Sequence, residues 1–131
     1  MYIRFITEFI NEYDEKETGV FQALGFLLRS YHVQDYDATR LEEIRTWFSK
    51  YLDKPTKFNK SKSKNNENAA ICWYKSNSKE HIKRMYDLIP IFENYDIVIT
   101  VIKRENPGYI IYEDKYQIAT LPLGKDKNKV R

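Results

Sequence analysis

The feature that most constrains this chain is the order of patterns between residues 69 and 121. An apolar run, Ala-Ala-Ile-Cys-Trp-Tyr, is followed by Lys-Ser-Asn-Ser-Lys-Glu-His, which reads as the polar start of a helix. An amphipathic stretch then continues to residue 93, and an aliphatic run fills 97–103. Asn106-Pro107-Gly108-Tyr109 and two short strand patterns, 109–112 and 116–121, complete a β-α-β-β-β unit. An apolar run without alternation predicts a strand buried on both faces, so 97–103 is expected at the centre of the sheet. A strand, a helix and a second strand in one sheet form a crossover, so 69–74 and 97–103 should run parallel. Pro107 and Gly108 fit the second and third positions of a type II turn, of which only the third needs positive φ. The last two strands pair as antiparallel neighbours around Glu113, Asp114 and Lys115.

The preceding half supplies one more strand and two helices. Residues 1–10 alternate as a single strand, with Ile3, Phe5, Thr7 and Phe9 on one side. Residues 11–17, Asn-Glu-Tyr-Asp-Glu-Lys-Glu, form an acidic loop. Thr18 is expected to cap a helix over 19–30 that is apolar around much of its circumference and therefore buried. Asp37 is expected to cap a second helix to residue 52, with Leu41, Ile44, Trp47, Phe48 and Tyr51 as its apolar stripe. In the third helix Asn77 and Glu80 resemble a capping box, and Pro90 predicts a kink or early end near Leu88. Together these patterns predict an α+β fold: a mixed β-sheet of about five strands, chain order β-α-α-β-α-β-β-β, with helices packed mainly on one face.

At 131 residues the chain is long enough for one self-sufficient core, so 1–131 is read as a single domain. A hydrophobic share of 42% with 15% aromatics excludes global disorder. Cys72, the only cysteine, lies in the most apolar run and is expected to be a buried small hydrophobe. With no internal disulfide, no signal-peptide pattern around Arg4, Glu8 and Glu12, and no apolar run near the ~20 residues of a membrane span, a cytoplasmic protein without membrane contact is expected. Residues 1–53 carry 6 basic against 10 acidic side chains and 54–131 carry 16 against 9, so the halves offer electrostatic faces of opposite sign. Residues 54–68, rich in Lys, Ser and Asn, read as a mobile loop, and 124–131 as a frayed basic tail.

Three kinds of surface chemistry are legible. Around the third helix start, Trp73, Lys75, Ser76, Ser78, Lys79 and His81 surround unpaired backbone N–H groups that favour anions. No glycine there lets a ligand approach the backbone as in a P-loop. Lys60, Lys62 and Lys64 could add phosphate contacts, and Trp73, Tyr74 and Tyr109 stacking, for a nucleic acid. Glu12, Tyr13, Asp14, Glu15 and Glu17 form an acidic surface for a basic protein partner, in a chain whose eleven tyrosines suit interfaces and leave an oligomer open. His81 reads as a surface residue; near Glu113 it would make an acid/base pair worth testing. Metal-ligand spacing is absent and no cofactor is expected.

Ile71-Cys72-Trp73-Tyr74-Lys75, Glu80-His81, Pro107-Gly108-Tyr109 with Tyr112-Glu113-Asp114 and Gln117, and Thr18-Gly19-Val20-Phe21-Gln22-Ala23 resemble a group of small uncharacterised bacterial proteins across nearly the whole chain. No activity attaches to that group, so the resemblance implies a bacterial context and no mechanism. In its Tyr- and Lys-rich style the chain is also similar to toxin-immunity proteins and phage-encoded inhibitors. A non-enzymatic protein-interaction module of that kind is the favoured expectation. A phosphate or nucleic-acid binder using the Lys loop and residues 76–80 is the alternative, and a small enzyme around His81 the third.

Overall fold

Thr7 splits the first apolar alternation between two sheets. A computed structural model of the protein describes residues 1–30, 32–55 and 70–121. Ile3, Phe5, Thr7 and Phe9 are all buried on one side, as their alternation requires. The strand nevertheless breaks: Thr7 Oγ1 donates to the Val98 carbonyl at 2.6 Å, and the Thr7 carbonyl accepts from Gly19 N–H at 3.1 Å. β1 (Tyr2–Ile6) stays in the main sheet, while β2 (Glu8–Ile10) turns away to pair with β3 (Lys16–Thr18) in a separate hairpin. The acidic loop is the turn of that hairpin.

Three helices follow the same logic of burial. α1 (Val20–Arg29) starts after Gly19, whose φ of 109° is closed to ordinary side chains, and a Cβ there would collide with the Gln22 side chain. Thr18 is not its cap; it is the last residue of β3, opposite Glu8. α2 (Asp35–Tyr51) begins two residues before Asp37, which is buried and accepts the Tyr95 hydroxyl hydrogen at 2.6 Å instead of capping. α3 (Lys79–Glu93) passes through Pro90 without ending, because Leu88 and Phe92 on either side are fully buried and packing overrides local preference. Asn77 and Glu80 form no capping box; Glu80 pairs with Arg84 at 2.5 Å.

The main sheet has the order β5-β1-β4-β7-β6, with β4 (Ile71–Lys75), β5 (Thr100–Arg104), β6 (Tyr109–Glu113) and β7 (Gln117–Leu121). The described residues thus form an α+β fold of three helices with a five-stranded and a two-stranded sheet. β4 and β5 point the same way, but β1 lies between them, so every paired neighbour is antiparallel. The expected central position of 97–103 gives way to an edge: only Thr100–Arg104 pairs, and only with β1. Ile97 and Ile99 instead plug the helix-side core, while Val98 between them is 67% exposed. Gly108 takes the positive φ expected of its turn, at 132°.

The buried residues of all three helices meet Ile3, Phe5 and Tyr74 in one core on one face of the sheet. Ile71, Trp73 and Ile118 form a second, smaller cluster. Among the described residues no helix is long and apolar enough to cross a membrane. The expected loop from residue 56 onward and the tail at 124–131 lie outside the described residues, as do Lys60, Lys62 and Lys64.

Gly19→Ala is expected to lower the unfolding free energy by about 1–3 kcal/mol, the cost of a side chain in a glycine-only backbone region. Urea denaturation measures it, and an unchanged midpoint would contradict the assigned backbone.

Candidate functional site

The junction between β4 and α3 uses most of its polar groups for folding. Lys75 Nζ pairs with Glu113 at 2.6 Å, and the Lys75 side chain is mostly covered. Ser78 Oγ donates to the Tyr116 carbonyl at 2.7 Å, and Ser76 N–H donates to the Met1 carbonyl at 3.2 Å. Ser76 and Lys79 are exposed, and Trp73 points its chemistry elsewhere, as described below. Of the groups assigned to an anion at the helix start, Lys75 and Ser78 are therefore already engaged.

His81 is buried, with 3% of its surface exposed, which corrects its reading as a surface residue. Its ring packs against Tyr116 and Trp47, with centroids 4.4 and 4.7 Å away, so neighbours from α2 and the β6–β7 turn enclose it. Nε2 lies 2.8 Å from the Tyr51 carbonyl. A carbonyl only accepts, so Nε2 carries the proton. Glu113 is taken by Lys75, and the hydrogen-bond partner of His81 is main chain, which leaves a structural tie between α3 and the end of α2.

The β6–β7 turn is organised by Asp114. Its Oδ1 accepts from Tyr116 N–H at 2.8 Å and Gln117 N–H at 3.0 Å; its Oδ2 accepts from the Tyr112 hydroxyl at 2.7 Å and Gln117 Nε2 at 3.1 Å. Burial opposes ionisation of this carboxyl, but the hydrogen bonds from Tyr116, Tyr112 and Gln117 outweigh it and hold the group below its ordinary value. Gln117 Nε2 also donates to the Asp53 carbonyl at 2.6 Å, tying the hairpin to the chain leaving α2.

A cavity of about 560 Å³ lies where the sheet opens toward the helices. β1 and β4 share only two paired positions, Tyr2 with Lys75 and Ile3 with Tyr74. Beyond them Arg4 and Phe5 stay paired to β5, while Cys72 and Trp73 stay paired to β7. These four residues line the opening with Phe21, Phe48 and Leu52 of the helix side. Burial strips water from the Arg4 guanidinium and pushes its pKa down to about 10. No carboxylate among the described residues pairs with it; its aromatic neighbour is the Trp73 ring, 6.0 Å away. The indole Nε1–H of Trp73, in a residue only 5% exposed, is the one buried side-chain polar atom among the described residues without a partner. Such a group costs about 1–3 kcal/mol when nothing accepts its hydrogen. Cys72 is exposed rather than buried, because β4 carries it past the cover of the helices. Its thiol is reachable by solvent yet ringed by the cavity walls, and that crowding raises its pKa despite the opposing pull of Arg4.

The acidic turn between β2 and β3 is ordered. Asn11 Oδ1 accepts from the N–H groups of Tyr13 and Glu15 at 2.8 and 3.0 Å, and its Nδ2 donates to Glu17 at 2.6 Å. Glu12 is paired to Arg29 of α1 through two bonds of 3.0 and 3.2 Å, and the hydrogen bond from Arg29 holds its carboxyl below the ordinary range. Asp14 sits in the left-handed region at φ 60°. Tyr13 is left 76% exposed, and the exposed residues Asp14 and Glu15 follow it in the chain.

Among the described residues no three His, Cys, Asp or Glu side chains gather as a metal site. No family model matches this chain, and no curated protein or solved structure does. Sequence reasoning placed Asp114 in the hairpin turn without foreseeing its hydrogen bonds, and gave Arg4 and Gln117 no site role. The signal for Arg4 was a charged residue inside an otherwise apolar alternation.

Two substitutions test these assignments. His81→Phe keeps an aromatic ring but removes the donor to Tyr51, and should lower stability by about 1–3 kcal/mol; equal stability in urea would show that the bond carries nothing. Asp114 stabilises the fold while ionised, so its contribution is complete above the ordinary carboxyl range of about 4 and fades as pH falls through its lower folded value. Asp114→Asn should flatten the acid limb of the stability–pH curve, and an unaltered limb would count against the hydrogen-bonded carboxylate.

Proposed function

We propose that this chain is a non-catalytic interaction protein that docks a basic partner protein through the hairpin of β2 and β3. The observation that carries this reading is Tyr13, exposed on a turn ordered by the Asn11 bonds and followed by the exposed Asp14 and Glu15. An ordered turn loses little freedom on binding, and tyrosine is a frequent anchor of interfaces because it covers much area at low entropic cost. The exposed carboxylates would steer a basic surface toward that anchor. An immunity- or inhibitor-like role, in which the chain acts by occupying its partner, fits this arrangement. A cytoplasmic setting fits a lone thiol left open to solvent.

The other two readings draw less from the geometry. A phosphate or nucleic-acid site at the helix start competes with the bonds of Lys75 and Ser78. An enzyme centred on His81 has no nucleophile or carboxylate within its hydrogen-bond reach among the described residues.

Affinity capture from the source cells, with the intact chain as bait, tests the proposal. A partner with a basic surface should be retained at low salt and released as ionic strength rises. Tyr13→Ala should weaken it by about tenfold or more, as loss of an anchor does, and Glu15→Lys should weaken it further. A partner set unchanged by both substitutions would refute the hairpin as the docking element.

A further inference from the structure

The main chain at the split between β1 and β4 is a second binding feature, separate from the hairpin and carried by different observations. In an antiparallel pair every second residue turns both its N–H and its C=O toward the same neighbour. Ser76 N–H donates to the Met1 carbonyl at 3.2 Å, and Ile3 with Tyr74 is the next bonded position of that series. Phe5 with Cys72 would follow, but the pairing has ended. One step further, the Thr7 carbonyl accepts from Gly19 N–H instead. The same alternation turns Phe5 away from β5. Cys72 likewise faces Ala119 at a non-bonded position, because the bond from Lys75 N–H to the Tyr116 carbonyl sets the phase of β4 and β7. The N–H and C=O of Phe5 and of Cys72 therefore have no partner among the described residues. Phe5 is only 7% exposed, and buried main-chain groups are almost always paired.

Both residues line the cavity of about 560 Å³. Phe5, Cys72 and Tyr74 project to the helix side of the sheet, where Val20, Phe21, Phe48 and Leu52 extend an apolar wall. Cys72 is exposed although it projects toward the helices, so the cavity meets solvent beside it. Arg4 and Trp73 project to the opposite face, and Arg45 is paired to Glu42 at 2.6 Å. Asp53 and Lys54 at the mouth carry opposite charges. No uncompensated charge therefore faces the apolar wall, and an ion would give up its hydration there without a counter-charge. The size and lining suit a small, largely apolar, neutral molecule.

The polar group of such a molecule follows from the main chain it meets. In an unbroken ladder the Phe5 N–H would donate to the Cys72 carbonyl. Across the split, an amide accepts from the first through its C=O and donates to the second through its N–H. We propose that this cavity binds a small neutral amide, with its amide group between the main chains of Phe5 and Cys72 and its aryl or alkyl body against Phe21, Phe48 and Leu52. The Cys72 thiol borders the ligand and takes no covalent part.

The intact chain can be titrated with 4-phenylbutyramide while the backbone amide resonances of Phe5 and Cys72 are followed by NMR. A saturable shift of both is expected, with the Tyr13 amide unmoved. The matched methyl ester accepts a hydrogen bond but donates none, and should bind about tenfold more weakly. The carboxylate, 4-phenylbutyrate, should bind at least as weakly, because its charge has no complement in the wall. Phe21→Ala and Leu52→Ala, each checked for its fold by circular dichroism, should weaken the amide about tenfold, whereas Tyr13→Ala should leave its binding unchanged. Saturating amide should also slow the reaction of Cys72 with methyl methanethiosulfonate. The assignment is overturned by the absence of a saturable shift, by equal or tighter binding of the ester or the carboxylate, by undiminished binding to both wall variants, or by an unchanged rate of thiol modification.

Discussion

The position of β1 between β4 and β5 decides the rest of the molecule. It pairs with β5 over five residues and with β4 over only two. The long ladder anchors the N-terminal strand as an inner member of the sheet and leaves β5 at the edge. The short ladder lets β1 and β4 part, and a cavity opens beside Arg4, Phe5, Cys72 and Trp73. Just beyond that opening β1 stops at Thr7, whose two hydrogen bonds release the chain into the hairpin that presents Tyr13. The cavity and the hairpin thus lie toward the same end of one strand.

Whether a polar group has a partner separates what folds this chain from what it can bind. At the start of α3, Lys75, Ser78 and His81 are each tied to another element, Lys75 through an ion pair and the others through main-chain carbonyls. Asp114 is tied by four donors within its own turn. Polar residues used this way hold elements together, and burying them costs little because each is satisfied. Trp73 differs: its indole N–H is withdrawn from water without a partner. Tyr13 differs in the opposite sense, since its ring stays in water although the turn beneath it is ordered.

Much of this fold was legible from local pattern. The three helices, the hairpin of β6 and β7, the turn at Gly108 and the inward side of Ile3, Phe5, Thr7 and Phe9 follow from periodicity and turn chemistry. The errors share a cause: each depended on a residue far along the chain. Nothing near Thr7 announces that its hydroxyl will meet Val98, and without that contact residues 1–10 read as one strand. The run 97–103 is apolar throughout, but apolarity does not distinguish a residue paired in a sheet from one, such as Ile97 or Ile99, that plugs a core before pairing begins. His81 sits among charged residues and reads as exposed until Trp47 and Tyr116 close over it. Of the site, the acidic turn was visible as composition, whereas the cavity was not, because it arises from the splay of two strands remote in sequence.

The central claim is that Arg4 is a half-buried cation without a countercharge among the described residues, and its removal measures that directly. The unfolding free energy of Arg4→Met should equal or exceed that of the unaltered chain at neutral pH, since a desolvation cost disappears and an apolar side chain takes the space. A loss of about 3–5 kcal/mol, the cost of stripping one partner from a buried ion pair, would contradict the account and show that Arg4 is paired after all.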